Sequence, residues 1–180
     1  MGYTWDDRVP FRDRGKVSDF TILKKLRRID FGKVVRSSYA PLRLEKWYGY
    51  GSNLQSIKEG RADVNWVENF PDWIDDLRLQ HFPEANSALI CKGQRPASET
   101  SIDWHRDHGT FENRVVMINF GYAIFYLQDY HNGTEIYTLK DGHVVDFDSK
   151  LLHKSTQTCD ERYIITFRRV KTEFSKHKLF

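Results

Sequence analysis

The sequence predicts an α+β, mostly β fold: a β-sandwich or jelly roll braced by N-terminal helices. Two observations carry that prediction. Segments with helical spacing are confined to about residues 1–85, whereas residues 86–170 hold short runs rich in Val, Ile, Phe, Tyr and Thr between turn signals. Helices first and many strands afterwards, with no alternation of the two, favour stacked sheets. A chain of 180 residues fits one domain, 1–180, with a helical part at about 1–85 and a β core at about 86–170.

The elements follow in order. "SDFTILKKLRRIDFGK" starts with a Ser/Asp cap and sets Phe20, Leu23, Leu26 and Arg27 at helical spacing, which predicts a short helix. "APLRLEKWYGYGSN" is aromatic and punctuated by glycine, and reads as a loop or hairpin with exposed tyrosines. "NFPDWIDDLRLQHF" has Pro71 near a helix start, acids in the early turns, and Trp73, Ile74 and Leu77 on one face. "NSALICKG", "RVVMINFGYAIFYLQ", "TEIYTLKDGHVVDFD" and "RYIITFRRV" read as strands. Asn132-Gly133 and Asp141-Gly142 read as hairpin turns between them.

Composition narrows the class. With 29% charged and 14% aromatic residues the chain is globular, not disordered. No run reaches membrane-span length, and the first residues hold no apolar signal core. Asp6 stands where a myristoylation motif requires Ser or Thr. Cys91 and Cys159 make no disulfide framework, which points to a reducing compartment. The expectation is an intracellular monomer, cytoplasmic or nuclear, with no membrane partner. The net charge of +3 hides an asymmetry: residues 1–50 hold 12 Lys/Arg against 6 Asp/Glu, and 162–180 hold 6 against 1. Basic ends around an acidic middle suit a polyanion channel and a central cation, or an ordinary solvated surface.

"DWHRDHGTF" carries the chemistry. His105 and Asp107 are two apart, so on an extended segment they project to one side. Two imidazoles and one carboxylate occupy one face of a non-haem Fe(II) and leave the other open. The second imidazole must come from a distant strand. His153 in "SKLLHKSTQ" is the best candidate, with His81, His108, His131 and His143 as competitors. "RYIITFRR" then places Arg162 and Arg168 six apart on one strand face. Two inward arginines are costly without an anion. A dicarboxylate meets both through paired hydrogen bonds; Asp146 or Asp148 are the alternative partners.

The order His105-x-Asp107, His153, "RYIITFR" resembles the AlkB family of Fe(II)- and 2-oxoglutarate-dependent dioxygenases, with its HxD, distal His and RxNLTFR strand. "FGK", Pro41, Arg43 and "WYGYG" resemble the lid segment of the family's nucleic-acid repair members, and "NSALICK" the strand before HxD. The resemblance covers about residues 31–170. It implies a double-stranded β-helix (jelly roll) with N-terminal helices and a substrate-recognition lid. It assigns His105, Asp107 and His153 to iron and catalysis, and Arg162 and Arg168 to 2-oxoglutarate, with O2 as oxidant.

Departures bear on the substrate. Cys91 and Gly93 stand where the family has Asn and Tyr against 2-oxoglutarate, so Gln94 or a displaced residue substitutes. Ile164 replaces the Asn of RxNLTFR, and Gly109 the acid after HxD. His108 is then a base contact, a partner for Asp107, or a turn residue.

The implied activity is oxidative demethylation of alkylated bases in DNA or RNA, a repair or modification reaction. Trp47, Tyr48 and Tyr50 are the candidate stacking residues, or else aromatics that plug the core beneath the lid. Lys24, Lys25, Arg27, Arg28 and Lys33 are candidate phosphate contacts. The alternatives are a hydroxylase of a protein, lipid or small molecule, a non-catalytic nucleic-acid binding module, and a zinc hydrolase that leaves the arginine pair without a role.

Overall fold

The computed structural model describes residues 9–31, 43–52, 64–94, 100–131 and 133–174. The N-terminal part holds β1 (Phe11–Lys16), α1 (Ile22–Leu26), β2 (Leu44–Ser52), β3 (Val64–Glu68) and α2 (Asp72–His81). There follow β4 (Ser87–Gly93), β5 (Ile102–His105), β6 (Phe111–Phe120), β7 (Ala123–Gln128) and β8 (Thr134–Leu139). The last strands are β9 (His143–Asp148), β10 (His153–Gln157) and β11 (Arg162–Val170). They form a seven-stranded sheet, β1-β9-β6-β11-β4-β2-β3, and a four-stranded sheet, β5-β10-β7-β8, antiparallel throughout.

β11 shows how the period-two pattern divides two cores. Tyr163, Ile165 and Phe167 pack on one face of the large sheet with Ile22, Leu26, Ile74 and Leu77 of the helices. Ile164 joins the opposite face, where Leu89, Cys91, Val115 and Met117 meet Phe125, Leu127 and Leu139 of the small sheet. Each fully buried aliphatic side chain in these layers contributes about 1.5–3 kcal/mol. The site lies in this second layer, between the sheets.

The helices differ from expectation in detail. In α1 the buried pair is Ile22 and Leu26, four apart, and Phe20 stands 94% exposed just before the helix. α2 starts after Pro71, carries Asp72 and Asp75 in its first turn, and buries Ile74 and Leu77 with Trp73 packed alongside.

Three further corrections arise. "WYGYG" is strand β2, and Tyr48 and Tyr50 are buried, not exposed. Tyr48 faces the helices, and Tyr50 meets Trp66 edge-on in a cluster with Phe111 and Val170. Between them Gly49 has φ +67°, and a Cβ there would stand 2.3 Å from the Asn86 carbonyl oxygen. The Asp141-Gly142 turn is no hairpin: β8 pairs with β7, whereas β9 pairs with β6 and β1. This corner carries the chain between sheets, fixed by the Asn119 side chain, which donates to the carbonyls of Gly121 and Lys140. β1 and β3 lie where the sequence offered no clear alternation.

"FGK" beyond Phe31, Lys33 and Pro41 fall outside the described residues, as does the end of the basic tail. Among the described residues no helix is long and apolar enough to cross a membrane.

Candidate metal centre

His105 is the last residue of β5 and His153 the first of β10, and the two are direct partners across the small sheet. Asp107 lies two residues beyond β5, where its backbone N–H donates to the Ser149 carbonyl over 2.9 Å. Lys150 Nζ donates to the carbonyls of Asp107 and His108 at 3.3 and 2.7 Å, and Arg106 Nε returns a bond to the Lys150 carbonyl at 2.9 Å. The loop after β5 is therefore clipped to the turn before β10. This brings the ligand-type atoms of His105, Asp107 and His153 within 4.8 Å of one another.

Hydrogen bonding orients all three. His105 Nδ1 lies 2.8 Å from the Asp103 carbonyl, and His153 Nδ1 lies 2.9 Å from that of Leu151. A carbonyl only accepts, so each Nδ1 carries the proton and each Nε2 a lone pair. Both Nε2 atoms lie 3.9 Å from Asp107 Oδ1, while Oδ2 receives Arg168 Nε at 2.6 Å. Burial lowers His153 to about 4 and also lowers His105, so both rings are neutral at physiological pH. Burial opposes ionisation of Asp107, but the Arg168 guanidinium, with His153 and His105 beside it, holds its pKa at about 2. Two neutral imidazole nitrogens and one carboxylate oxygen fit Fe(II). Zinc accepts the same donors.

The three open onto a cavity of about 370 Å³. Its walls include Leu89, Cys91, Met117, Phe125, Phe147 and Ile164, with Trp47 and Phe111 above and Arg43, Glu45, Ser155 and Arg168 as polar groups. Arg162 and Arg168 both point toward the small sheet, in different settings. Arg168 lines the cavity and also donates to Thr166 Oγ1. Arg162 lies behind Ser155: Nε donates to Asn119 Oδ1 at 2.8 Å, Nη1 to Ser155 Oγ, and Nη2 is buried with no partner among the described residues. Burial pushes its pKa down to about 10, and among the described residues no carboxylate pairs with it. Asp146 binds Arg14 and Arg114, each at 3.2 Å, on the helix side of the sheet. An uncompensated guanidinium with a bare N–H is the setting in which a carboxylate ligand gains most.

The other sequence candidates separate. Trp47 lines the cavity; Tyr48 and Tyr50 do not. His108 is exposed at the rim, its Nδ1 3.2 Å from Thr110 Oγ1, and the partner of Asp107 is Arg168 instead. Gly109 faces open space. Gln94 is exposed and does not substitute for the missing side chain at Gly93. Gln157 fills the space beside Gly93, where a Cβ would fall 1.9 Å from its Oε1, and it does not line the cavity. α1, which carries Lys24 and Lys25 and is followed by Arg27 and Arg28, packs on the far side of the large sheet, and Arg27 pairs with Glu161 at 2.9 Å. Sequence reasoning missed Asn119, Ser155 and Gln157. Only a period-two reading inward from His153 marks Ser155 and Gln157 as sharing its face.

No protein-family model matches the sequence, and no curated protein matches it. Solved structures do. A 2OG-Fe(II) oxygenase family oxidoreductase from Burkholderia pseudomallei has a TM-score of 0.58 at 14% identity, over 83% of this chain and 77% of that one. OsALKBH1 has 0.56 at 14%, over 81% and 87%. A Pseudomonas putida prolyl-4-hydroxylase has 0.55 at 12%, over 90% and 93%. The chain thus shares the jelly-roll fold of the 2-oxoglutarate/Fe(II) oxygenases.

Proposed function

We propose that the protein is an Fe(II)- and 2-oxoglutarate-dependent dioxygenase that oxidatively demethylates alkylated bases in DNA or RNA. The observation that carries this reading is the convergence of His105, Asp107 and His153 on one cavity, with Arg168 holding Asp107 and with Arg162, which no carboxylate meets among the described residues, behind Ser155. The likeness in fold to OsALKBH1 supports it.

In this reading His105, Asp107 and His153 would hold the metal, with Asp107 Oδ1 left available because Arg168 occupies Oδ2. Arg162, steered by Asn119 and Ser155, takes the distal carboxylate of 2-oxoglutarate. Iron with 2-oxoglutarate would supply the oxidising power, coupling conversion of 2-oxoglutarate and O2 into succinate and CO2 to hydroxylation of the substrate. The apolar walls keep water from the reacting carbon, and Trp47 offers a ring face to an extruded base. A hydroxylated N-methyl group then leaves as formaldehyde.

The test is incubation of metal-free protein with Fe(II) and 2-oxoglutarate under air, with and without methylated single-stranded DNA and RNA. Succinate stimulated by one polymer, with equimolar formaldehyde, is the expected result. Succinate indifferent to both would retain the oxygenase and discard the nucleic acid. A protein or small-molecule hydroxylase is the second reading, favoured by the open space at Gly109 and by the likeness in fold to a prolyl-4-hydroxylase.

A further inference from the structure

The cavity wall at the start of β2 contains a charged pair that the reading above leaves unused. Arg43 precedes β2 and Glu45 lies within it, and their side chains are only 11% and 10% exposed. Glu45 Oε1 accepts both Arg43 Nε, at 3.0 Å, and Arg43 Nη2. Among the described residues, Glu45 Oε2 and Arg43 Nη1 have no hydrogen-bond partner. Both residues line the cavity, and Glu45 sits beside Cys91 across the β2–β4 pairing.

Packing gives no reason for a charged pair here. The adjoining wall is Leu89, Cys91, Met117 and Ile164, and replacing a buried ion pair by apolar groups of equal volume is commonly neutral or stabilising. Such a pair is also unsuited to the co-substrate: its charges cancel, whereas Arg162 has no acid partner among the described residues. What it offers, among the described residues, is one free acceptor next to one free donor. Residues 43, 45 and 47 share a side of the segment, so Trp47 adds an aromatic face, parallel to Phe111 within 6° at 6.3 Å between centroids.

We propose that Arg43 and Glu45 read the hydrogen-bonding edge of the substrate: Glu45 accepts an N–H, and Arg43 donates to the acceptor beside it. A planar heteroaromatic with an N–H next to a ring nitrogen, stacked on Trp47, meets all three residues. That is a nucleobase with an amino N–H beside a ring nitrogen, adenine or cytosine, and not thymine. The inference rests on the dioxygenase reading and names its substrate edge. Glu45 also places a carboxylate at the cavity, which Gly109 does not line.

The experiment compares formaldehyde release by the Fe(II)-loaded protein from two single-stranded DNA oligonucleotides. One carries 6-methyladenine, with an N–H beside a ring acceptor; the other carries 3-methylthymine, which presents carbonyls and no N–H. Wild type is expected to favour 6-methyladenine. Glu45→Gln, its amide oxygen held by Arg43, turns an N–H toward the base. It should lower the ratio of kcat/KM values for the two probes by at least about tenfold, through KM, because sites built to hydrogen-bond discriminate steeply. Equal losses on both probes would assign the pair to structure and overturn the proposal.

If Glu45→Gln does not fold, Arg43→Lys is read instead. It keeps the charge, loses the fork, and should raise KM for 6-methyladenine about tenfold with kcat within about threefold. A fall in kcat alone would overturn the proposal. Wild-type succinate without formaldehyde from either probe would discard the nucleobase edge and keep the dioxygenase. Absence of both succinate and 2-oxoglutarate binding would remove the dioxygenase reading and this one together.

Discussion

Arg168 donates from Nε to Asp107 Oδ2 over 2.6 Å, and Asp107 Oδ1 is thereby left facing the Nε2 atoms of His105 and His153 at 3.9 Å each. One arginine nine-tenths buried on β11 sets the orientation of a carboxylate 61 residues earlier. Replacing it by Met strands the Asp107 charge. The metal-free protein should lose about 3–5 kcal/mol in chemical denaturation, and Co(II) affinity by titration should fall about 10–100-fold. Unchanged Co(II) affinity would show that Asp107 needs no orienting partner.

Gly93 and Gln157 share one space. Gln157 is anchored by Nε2 to the Cys159 carbonyl at 2.7 Å, so a Cβ at residue 93 meets a side chain that is held in place. Gly93→Ala should cost about 1–3 kcal/mol. In the Gly93→Ala/Gln157→Ala double variant part of that cost should return, as a coupling of about 0.5–3 kcal/mol in a denaturation cycle. Strict additivity would place Gln157 elsewhere in solution.

His81 gives a pH signature away from the site. It ends α2, where the helix dipole favours an imidazolium, but burial and then Arg14, bonded to the His81 carbonyl at 2.7 Å, lower its pKa; Asp146 opposes them in part. The folded value lies below the unfolded 6.5, so in that interval the unfolded chain binds more protons. The contribution of His81 to stability is complete above 6.5 and declines as pH falls through the interval. His81→Leu should flatten that part of the stability–pH curve relative to wild type, measured on metal-free protein. Parallel curves would remove His81 as a source.

The two thiols should differ in reactivity. Cys91 is 4% exposed, and burial pushes its thiol up to about 11 against the pull of Arg43. Cys159 is half-buried beside the Glu161 and Tyr122 carbonyls. Iodoacetamide on the native protein should label Cys159 first and Cys91 at least about 100-fold more slowly, read by peptide mass spectrometry. Comparable rates would mean that the inner wall opens.

Particular elements show what was legible in the chain. The period-two run "RYIITFRRV" announced a strand with both arginines on one face, because side-chain alternation is local geometry. "DWHRDHGTF" announced His105 and Asp107 as a pair for the same reason. Turn chemistry marked Asp141-Gly142 as a reversal, since Gly142 takes φ +75° there. Which sheet each flanking strand joins depends on long-range pairing, and there the hairpin expectation failed. The aromatic spacing of "WYGYG" likewise could not say which side would be covered. Helices α1 and α2 buried Tyr48 and left Trp47 to the cavity.

Local spacing and residue chemistry are enough for the mostly β class, for a His and an Asp two residues apart, and for arginines six apart on one face. That His153 stands opposite His105, that Gln157 fills the space at Gly93, and that Arg43 and Glu45 face one cavity emerges on folding. Such encounters join side chains tens of residues apart. The energy that selects them comes from burying both cores at once, and no short window of sequence contains it.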